Sequence, residues 1–436
     1  MLIKFLVGNF LSFKEVVTLD MTAEALKERK DYLHVPYFYN MDLPLVKSMT
    51  IYGHNSHGKS NLLKAYAFFK NFILHSFSLG KTINNEIGVE PFLLNSSMHE
   101  KPSMFEVVFI LKETKYRYGF MATKQKIVEE WLYYAESKVR ENPLFHRYEQ
   151  EFRDISKNWN KESGNRIDQA RMFTKPSNLF ISVLLSQDGI PRIDQISRWF
   201  KGNIVLTGNN YESLINGGAA SIYSRLEYRD LILRFIRGAD LGFNSIFDKI
   251  SNSIQKEKIL PETANFLFDA EMTNFDLRTA HKVYNQNDEF VKSIEFDLAK
   301  NESAGSIKYF IVACFLSYAI VNSQLIWIDE LDSSLHTNLL EALVLAFNNN
   351  DINSNGAQLI FTTHNTILLD DKLRRDQILL VEKSDLGVTK IVKMHTPETP
   401  IRINKSVEKE YREGNRGVSK KIKKKGENPN QTLFDF

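Results

Sequence analysis

The sequence has a single cysteine, Cys314, so it can form no intrachain disulfide. Its place on an apolar helical stretch reads as a core residue rather than a nucleophile, which fits a reducing compartment. Also missing is an apolar run of the roughly 20 residues that a membrane-crossing helix needs. The longest, such as Tyr309–Val321, stop short or carry polar residues, and the amino terminus opens directly into a strand pattern. The expectation is a cytoplasmic chain with no membrane partner. Net charge is small, formally +3, and by itself gives no argument for nucleic acid. What basic excess there is gathers at Lys420, Lys421, Lys423, Lys424 and Lys425, in a polar stretch that reads either as a solvated tail or as a docking segment ending in Phe434 and Phe436. No repeat of fixed period is visible, which excludes a solenoid or propeller.

What the sequence does contain is 436 residues, 43% hydrophobic and 25% charged, enough for a large core and for two or three domains. Alternating patterns predict strands at Leu2–Val7 and Val16–Leu19, then at Met104–Leu111, Tyr116–Ala122 and Ile127–Tyr133 as an antiparallel meander. Ser48–Tyr52 is an apolar run that ends at a glycine and leads into a helix from Gly58 to about Leu74. From Glu149 to Leu260 the pattern turns helical and charged, Leu226–Ile250 included. Strand character returns at Asn265–Phe268 and Ser293–Leu298, followed by a helix over Gly305–Val321. Leu325–Ile328, Leu359–Thr362 and Ile378–Glu382 then alternate with helical segments in the rhythm of an α/β sheet.

Chemistry concentrates at three places. Residues 51–65 read IYGHNSHGKSNLLKA, in which Gly53, Gly58, Lys59 and Ser60 satisfy the phosphate-loop pattern between a strand and a helix. Glycines allow backbone N–H groups to face phosphate oxygens, Lys59 neutralises the β and γ phosphates, and the Ser60 hydroxyl ligates magnesium at the helix start. Asn55 and Asn61 are candidate nucleotide contacts within the same run. Downstream, LIWIDE delivers Asp329 and Glu330 at the carboxyl end of a buried strand, where open α/β sheets place ligands. Asp329 is assigned to the magnesium ion and Glu330 to the attacking water, as the catalytic base. Between the two, LLSQDG at 184–189 is either a magnesium-contacting loop through Gln187 or a plain polar turn.

The segment DELDSSLH at 329–336 resembles the Walker B and D-loop of ATP-binding-cassette ATPases of the structural-maintenance, RecF and OLD type. ESAG at 302–305 is similar to their shortened signature, although Ser303 with Gly305 close behind is also a good helix N-cap on physical grounds alone. LIFTTHN at 359–365 resembles their switch-histidine loop, where a structural histidine is the plainer alternative. The resemblance implies ATP and Mg2+ as cofactors, and a homodimer in which Ser303, Gly305 and Asp332 complete composite ATP sites. It also implies a catalytic contact from His364 to the γ phosphate.

NFLSFKE, YRYGF, EWLYY and RRDQILLVEK extend the resemblance over nearly the whole chain, to AAA-type ATPases of bacterial abortive-infection and phage-defence operons, the RloA-like group. Departures are Ala304 in place of an acid, Thr337 in place of proline and Leu11 in place of arginine. The fold implied is α/β, an ABC-type head with a mixed P-loop sheet, an antiparallel β flank and an inserted helical lobe. Its divisions are 1–148 for the N-terminal half of the head, 149–260 for the lobe, 261–400 for the C-terminal half and 401–436 for the basic tail.

The function implied is a nucleotide-dimerised ATPase, open to higher oligomers, that senses an invader or holds an effector, a nuclease or toxin from the same operon; nucleic-acid contact stays open. A DNA-repair ATPase of the RecF or structural-maintenance class is the alternative, disfavoured by a lobe too short and too interrupted by Asn and Gly for a coiled-coil arm. A fused nuclease is disfavoured, because after His364 there is no acidic cluster of toprim type and His395 stands alone.

Overall fold

A computed structural model describes residues 1–36, 43–79, 86–136, 140–156, 159, 163–187, 189–207, 214–239, 241–243, 245–249, 275–396 and 406–412. The strand expected at Asn265–Phe268 and the basic run with its aromatic ending lie outside them. In chain order the strands are β1 Leu2–Gly8, β2 Val17–Asp20, β3 Leu33–His34, β4 Leu45–Val46, β5 Ser48–Tyr52, β6 Ser103–Leu111, β7 Thr114–Ala122, β8 Ile127–Ala135, β9 Asn142–Tyr148, β10 Glu151–Ile155, β11 Ile204–Leu206, β12 Ser245–Asp248, β13 Leu277–Tyr284, β14 Phe290–Asp297, β15 Leu325–Ile328, β16 Gln358–Thr362, β17 Ile378–Lys383 and β18 Thr389–Lys393. The α-helices are α1 Lys59–Leu79, α2 Arg166–Phe173, α3 Phe180–Leu185, α4 Pro191–Gly202, α5 Ala220–Ser224, α6 Leu226–Arg237, α7 Leu298–Asn301, α8 Ala304–Val321, α9 Thr337–Asn348 and α10 Val407–Arg412.

Two large sheets carry the architecture. The first is antiparallel throughout, in the order β10-β9-β8-β7-β6-β1-β2. The second runs β11-β15-β16-β5-β17-β18 and is parallel except for its last pair. Every residue of β5, β15 and β16 is buried. Strands covered on both faces become continuous apolar runs, which is why they were visible in the sequence. Helix α1 lies between the sheets: Tyr66 stacks on Trp327 of β15 with ring centroids 4.7 Å apart, and Phe69 meets Phe120 of the flank at 5.7 Å. A second apolar layer, built by α5, α6, α8 and α9, covers the opposite face of the core sheet around Phe310, Phe315, Leu340 and Phe361. Helix α8 is apolar and long enough to cross a membrane by composition, yet it sits within this layer, where Cys314 is fully buried.

The stretch expected as an inserted helical lobe contributes to both sheets. β10 extends the flank beside β9, and β11 forms the edge of the core sheet beside β15. Helices α3 and α4 pack on α1 and α2 packs on α3, while α6 packs on α8. The helical reading of Leu226–Ile250 holds only to Arg237, after which Ser245–Asp248 pairs with β13 in a three-stranded sheet, β12-β13-β14. Burial on the helix faces gave α4 and α6 a clear period, whereas strands of three to five residues are too short to display one.

A buried ion pair fixes the lobe to the flank. Glu130 of β8 accepts from Arg147 Nη1 at 3.2 Å and from the Phe180 and Ile181 amides at 2.7 and 3.0 Å, so one carboxylate caps α3. Burial pushes the Glu130 carboxyl up from its ordinary value, against the pull of Arg147 and these donors.

Candidate functional site

β5 ends at Tyr52 and the chain crosses to α1 over the tip of the core sheet. Gly53 is required by close approach: a Cβ there would lie 2.6 Å from the Val381 carbonyl oxygen. Gly58 has φ +105, and a Cβ would come 2.6 Å from Thr389 Oγ1 and 2.8 Å from Ser12 Oγ. The loop is thus pinned by β17, β18 and the β1–β2 turn. Lys59 Nζ donates to the Gly53 oxygen at 2.7 Å and to the His54 oxygen at 3.2 Å, curling the side chain back over the loop. Burial lowers its pKa, against the opposing pull of Asp329, Glu330 and Asp332. Those three carboxylates therefore lie near enough to the lysine for their charges to act on it. Ser60 stands half-buried in the first turn of α1, and Asn55 is exposed on the loop crown. Asn61 is differently engaged, donating through Nδ2 to Ser12 Oγ at 2.7 Å, which ties α1 to the β1–β2 turn.

β15 delivers Asp329 and Glu330 beside β16. Thr362, the last residue of β16, donates its hydroxyl to Asp329 Oδ1 at 2.6 Å and accepts from the Glu330 amide at 2.7 Å. Glu330 adopts φ +48, the left-handed region that a non-glycine residue occupies only when its surroundings hold it there. They do so at both ends of the residue, since Lys308 Nζ donates to the Glu330 carbonyl at 2.7 Å. Burial brings the Lys308 ammonium down to about 8, against the favourable field of Asp332, Glu330 and Asp329. Asp332 Oδ2 accepts from the His364 amide at 3.0 Å, joining D-loop to switch loop, and its Oδ1 is buried with no partner. The His364 residue itself is exposed.

Ser303 is the N-cap of α8 and accepts from the Ser306 amide at 3.1 Å, so the helix-capping reading holds. Ser303 and Ala304 are exposed. Gly305 is pressed against the D-loop, where a Cβ would meet the Ser334 oxygen at 2.7 Å. Glu302, just before the cap, accepts from His281 Nε2 at 2.7 Å, linking the signature to β13.

The structure does not bring Gln187 to this site. The segment leading to it bonds the far end of α1: Ser182 Oγ accepts from the Phe77 amide, and Ser76 Oγ from the Leu179 amide. Ser76 is roughly 25 Å along the helix from Lys59 at 1.5 Å per residue, and the chain from Ser182 to Gln187 reaches back only about 12 Å. The polar-turn reading is the one the geometry favours.

Sequence reasoning missed Thr362, Lys308, Ser12 and Thr389, whose roles come from contacts 22 to 377 residues apart in the chain. It also missed α10, the first turn of the supposed tail. Tyr411 stacks on His54 at 6.4 Å and leans on Tyr52 at 5.7 Å, Val407 is buried, and Glu408 Oε1 accepts from Thr366 Oγ1 at 2.7 Å. Helix α10 thereby touches both the phosphate loop and the switch loop.

Residues 48–370, which include all of these loops except α10, match the family model described as "AAA domain, putative AbiEii toxin, Type IV TA system". The chain belongs to this AAA-domain family. Its fold is α/β, with the core sheet that carries the phosphate loop and the antiparallel flank both in place. No curated protein gives a match. Among solved structures, the chain is similar to an SMC head domain from Thermotoga maritima at 14% identity and TM-score 0.40, covering 91% of this chain and 99% of that one. It is also similar to an SMC head bound to the C-terminal winged-helix domain of ScpA, at 14% identity and TM-score 0.46, covering 90% and 97%.

Proposed function

We propose that this AAA-family chain binds and hydrolyses ATP with Mg2+, closes into a homodimer on nucleotide, and regulates a separate toxin or nuclease in bacterial anti-phage defence. The observation that carries the chemistry is the convergence of Lys59, Asp329, Glu330 and Asp332 at the carboxyl ends of parallel strands, where α/β sheets hold ligands. Asp332 Oδ1, buried and unpartnered in this cluster, supports a polar ligand there. Ser60 and Asp329 offer the hard oxygen donors that magnesium prefers. Among the described residues no three His, Cys, Asp or Glu side chains are arranged to hold a metal ion by themselves, which suits an ion that takes its remaining ligands from phosphate and water. When bound, that ion supplies charge neutralisation at the phosphate oxygens.

The chain's own residues divide the rest. Lys59 leaves its carbonyl partners for the β and γ phosphates, and Glu330 orients and deprotonates the attacking water. Gly53 and Gly58 keep the loop amides within reach of phosphate. His364, exposed and fixed through its backbone to Asp332, is positioned to contact the γ phosphate. Ser303 and Ala304, exposed at the start of an 18-residue helix, are free to face the nucleotide of a second copy, where the helix dipole favours negative charge. The toxin–antitoxin wording of the family description supports a defence context over a role in DNA repair. The test is light scattering of Glu330→Gln with and without ATP, beside the same variant carrying Ser303→Arg. Nucleotide-driven dimerisation that Ser303→Arg abolishes is expected. An active ATPase that stays monomeric at every nucleotide concentration would sink the composite site, and a partner-free operon with unaltered phage sensitivity on deletion would sink the defence role.

A further inference from the structure

Lys308 is wholly buried in α8, one turn beyond the signature residues Ser303–Gly305. Its ammonium donates to the Glu330 carbonyl at 2.7 Å, to the Ser333 carbonyl at 2.6 Å and to Ser333 Oγ at 2.5 Å. The same helix touches the D-loop a second time, where Gly305 leaves room for the Ser334 oxygen. Ser334, like Glu330, has a left-handed backbone, φ +59 and +48 respectively. The signature helix therefore bears directly on the two residues of the Walker B and D-loop segment whose backbones are least free to relax. A shift of α8 would re-aim the bonds that fix the Glu330 and Ser333 carbonyls, because hydrogen bonds weaken with misalignment.

We propose that Lys308 couples the two nucleotide sites of the ATP-bound dimer. The inference rests on the composite-site reading above. In that dimer α8 presents Ser303 to the nucleotide of the second copy, while Lys308 on the same helix sets the backbone of Glu330 at the nucleotide of its own. Engagement of one site is thus transmitted through one rigid helix to the geometry of the catalytic carboxylate at the other. Lys308 touches neither nucleotide and is a positioning residue. The two-state element is the Glu330–Ser334 segment, left-handed at its two end residues, held in register when α8 is seated and released when it is not.

The prediction is a cooperative hydrolysis curve whose cooperativity depends on Lys308. Steady-state hydrolysis by the intact chain should rise sigmoidally with ATP, with a Hill coefficient approaching about 2, the number of sites. Lys308→Met should bring that coefficient to about 1 and lower kcat at least tenfold, while nucleotide affinity of the monomer changes less than about threefold, since Lys59 and its loop are untouched. In a Glu330→Gln background Lys308→Met should still dimerise with ATP. A merely structural lysine would lower kcat and leave the Hill coefficient where it was. Should Lys308→Met fail to fold, as read from its thermal melt, Ser333→Ala removes one acceptor and leaves the buried cation in place; it should lower the coefficient part of the way. Parent-like cooperativity in the folded Lys308→Met, or in Ser333→Ala where that variant stands in, overturns the coupling, as does a dimeric parent enzyme with a hyperbolic curve. A Glu330→Gln chain that never dimerises instead removes the composite site on which the coupling depends.

Discussion

Thr362 and Asp329 share a 2.6 Å hydrogen bond across neighbouring parallel strands, and the same hydroxyl receives the Glu330 amide. One small side chain therefore orients the proposed metal carboxylate and holds the strained backbone of the proposed base. Thr362→Val keeps the β-branched shape and deletes only the hydroxyl. It should lower kcat ten- to a hundredfold, the usual cost of losing an orienting partner, and leave ATP binding near the parent value. Nucleotide titration beside steady-state hydrolysis checks this, and an unchanged kcat would remove Thr362 from the site.

Lys59 and Glu330 separate binding from turnover. Lys59→Ala should weaken ATP binding at least tenfold, because it removes the cation from a loop whose amides alone remain. Glu330→Gln preserves the phosphate cradle and should bind ATP at parent affinity while losing hydrolysis by two or more orders of magnitude, roughly 3 kcal/mol in barrier. Normal turnover by Glu330→Gln would assign the base elsewhere.

Lys70 of α1 yields a pH-dependent prediction. It is 7% exposed, donates to the Asn203 carbonyl, and burial brings it down to about 8 from an ordinary 10.5. Between those values the unfolded chain holds a proton that the folded chain has released, so stability rises with pH across the window and the full burial cost is present below pH 8. Lys70→Met should therefore be more stable than the parent at pH 7, by an amount on the order of 3 kcal/mol at most, with the advantage closing by pH 10. Denaturant unfolding of both proteins at pH 7, 8.5 and 10 measures it. Equal stability at pH 7 would mean that the Asn203 bond compensates the desolvation.

Two truncations separate the contribution of α10 from that of the basic run near the carboxyl terminus. Ending the chain before Val418 keeps α10 and should leave ATP hydrolysis unchanged, and a plaque assay and pull-down then report whether the basic run captures a partner. Ending it before Ser406 uncovers Tyr52, Leu380 and Met394 and releases Thr366. That should lower stability by about 2 kcal/mol, the burial of one aliphatic side chain, and raise KM for ATP several-fold. Identical kinetics from the two truncated proteins would show that α10 is a passenger on the loop.

What was legible in the sequence was contiguous. The phosphate loop, the Asp329–Glu330 pair and the His364 strand end each occupy a short window, and the buried strands β5, β15, β16 and β17 are unbroken apolar runs. β10 and β18 give a weak signal because neither buries a full face: no residue of β10 and only Thr389 of β18 is buried. Lys308 carried no readable signal, since its partners lie in a loop beyond the next strand. Gln187 had the right residue type in the right order along the chain, but order says nothing about which end of α1 the helix before it would meet.

The strand order of the core sheet has a consequence for how the protein is made. β5, which carries the phosphate loop, lies between β16 and β17, whose sequences come some three hundred residues later. A chain emerging from the ribosome presents β5 and its apolar neighbours without the strands that cover them for most of its synthesis. The antiparallel flank, built largely from hairpins between β6 and β10, can form early and shelter one face of α1. The proposed nucleotide site itself is assembled only after β16 and β17 have emerged, so during synthesis β5 and α1 stay partly uncovered, a state in which exposed apolar surface favours aggregation.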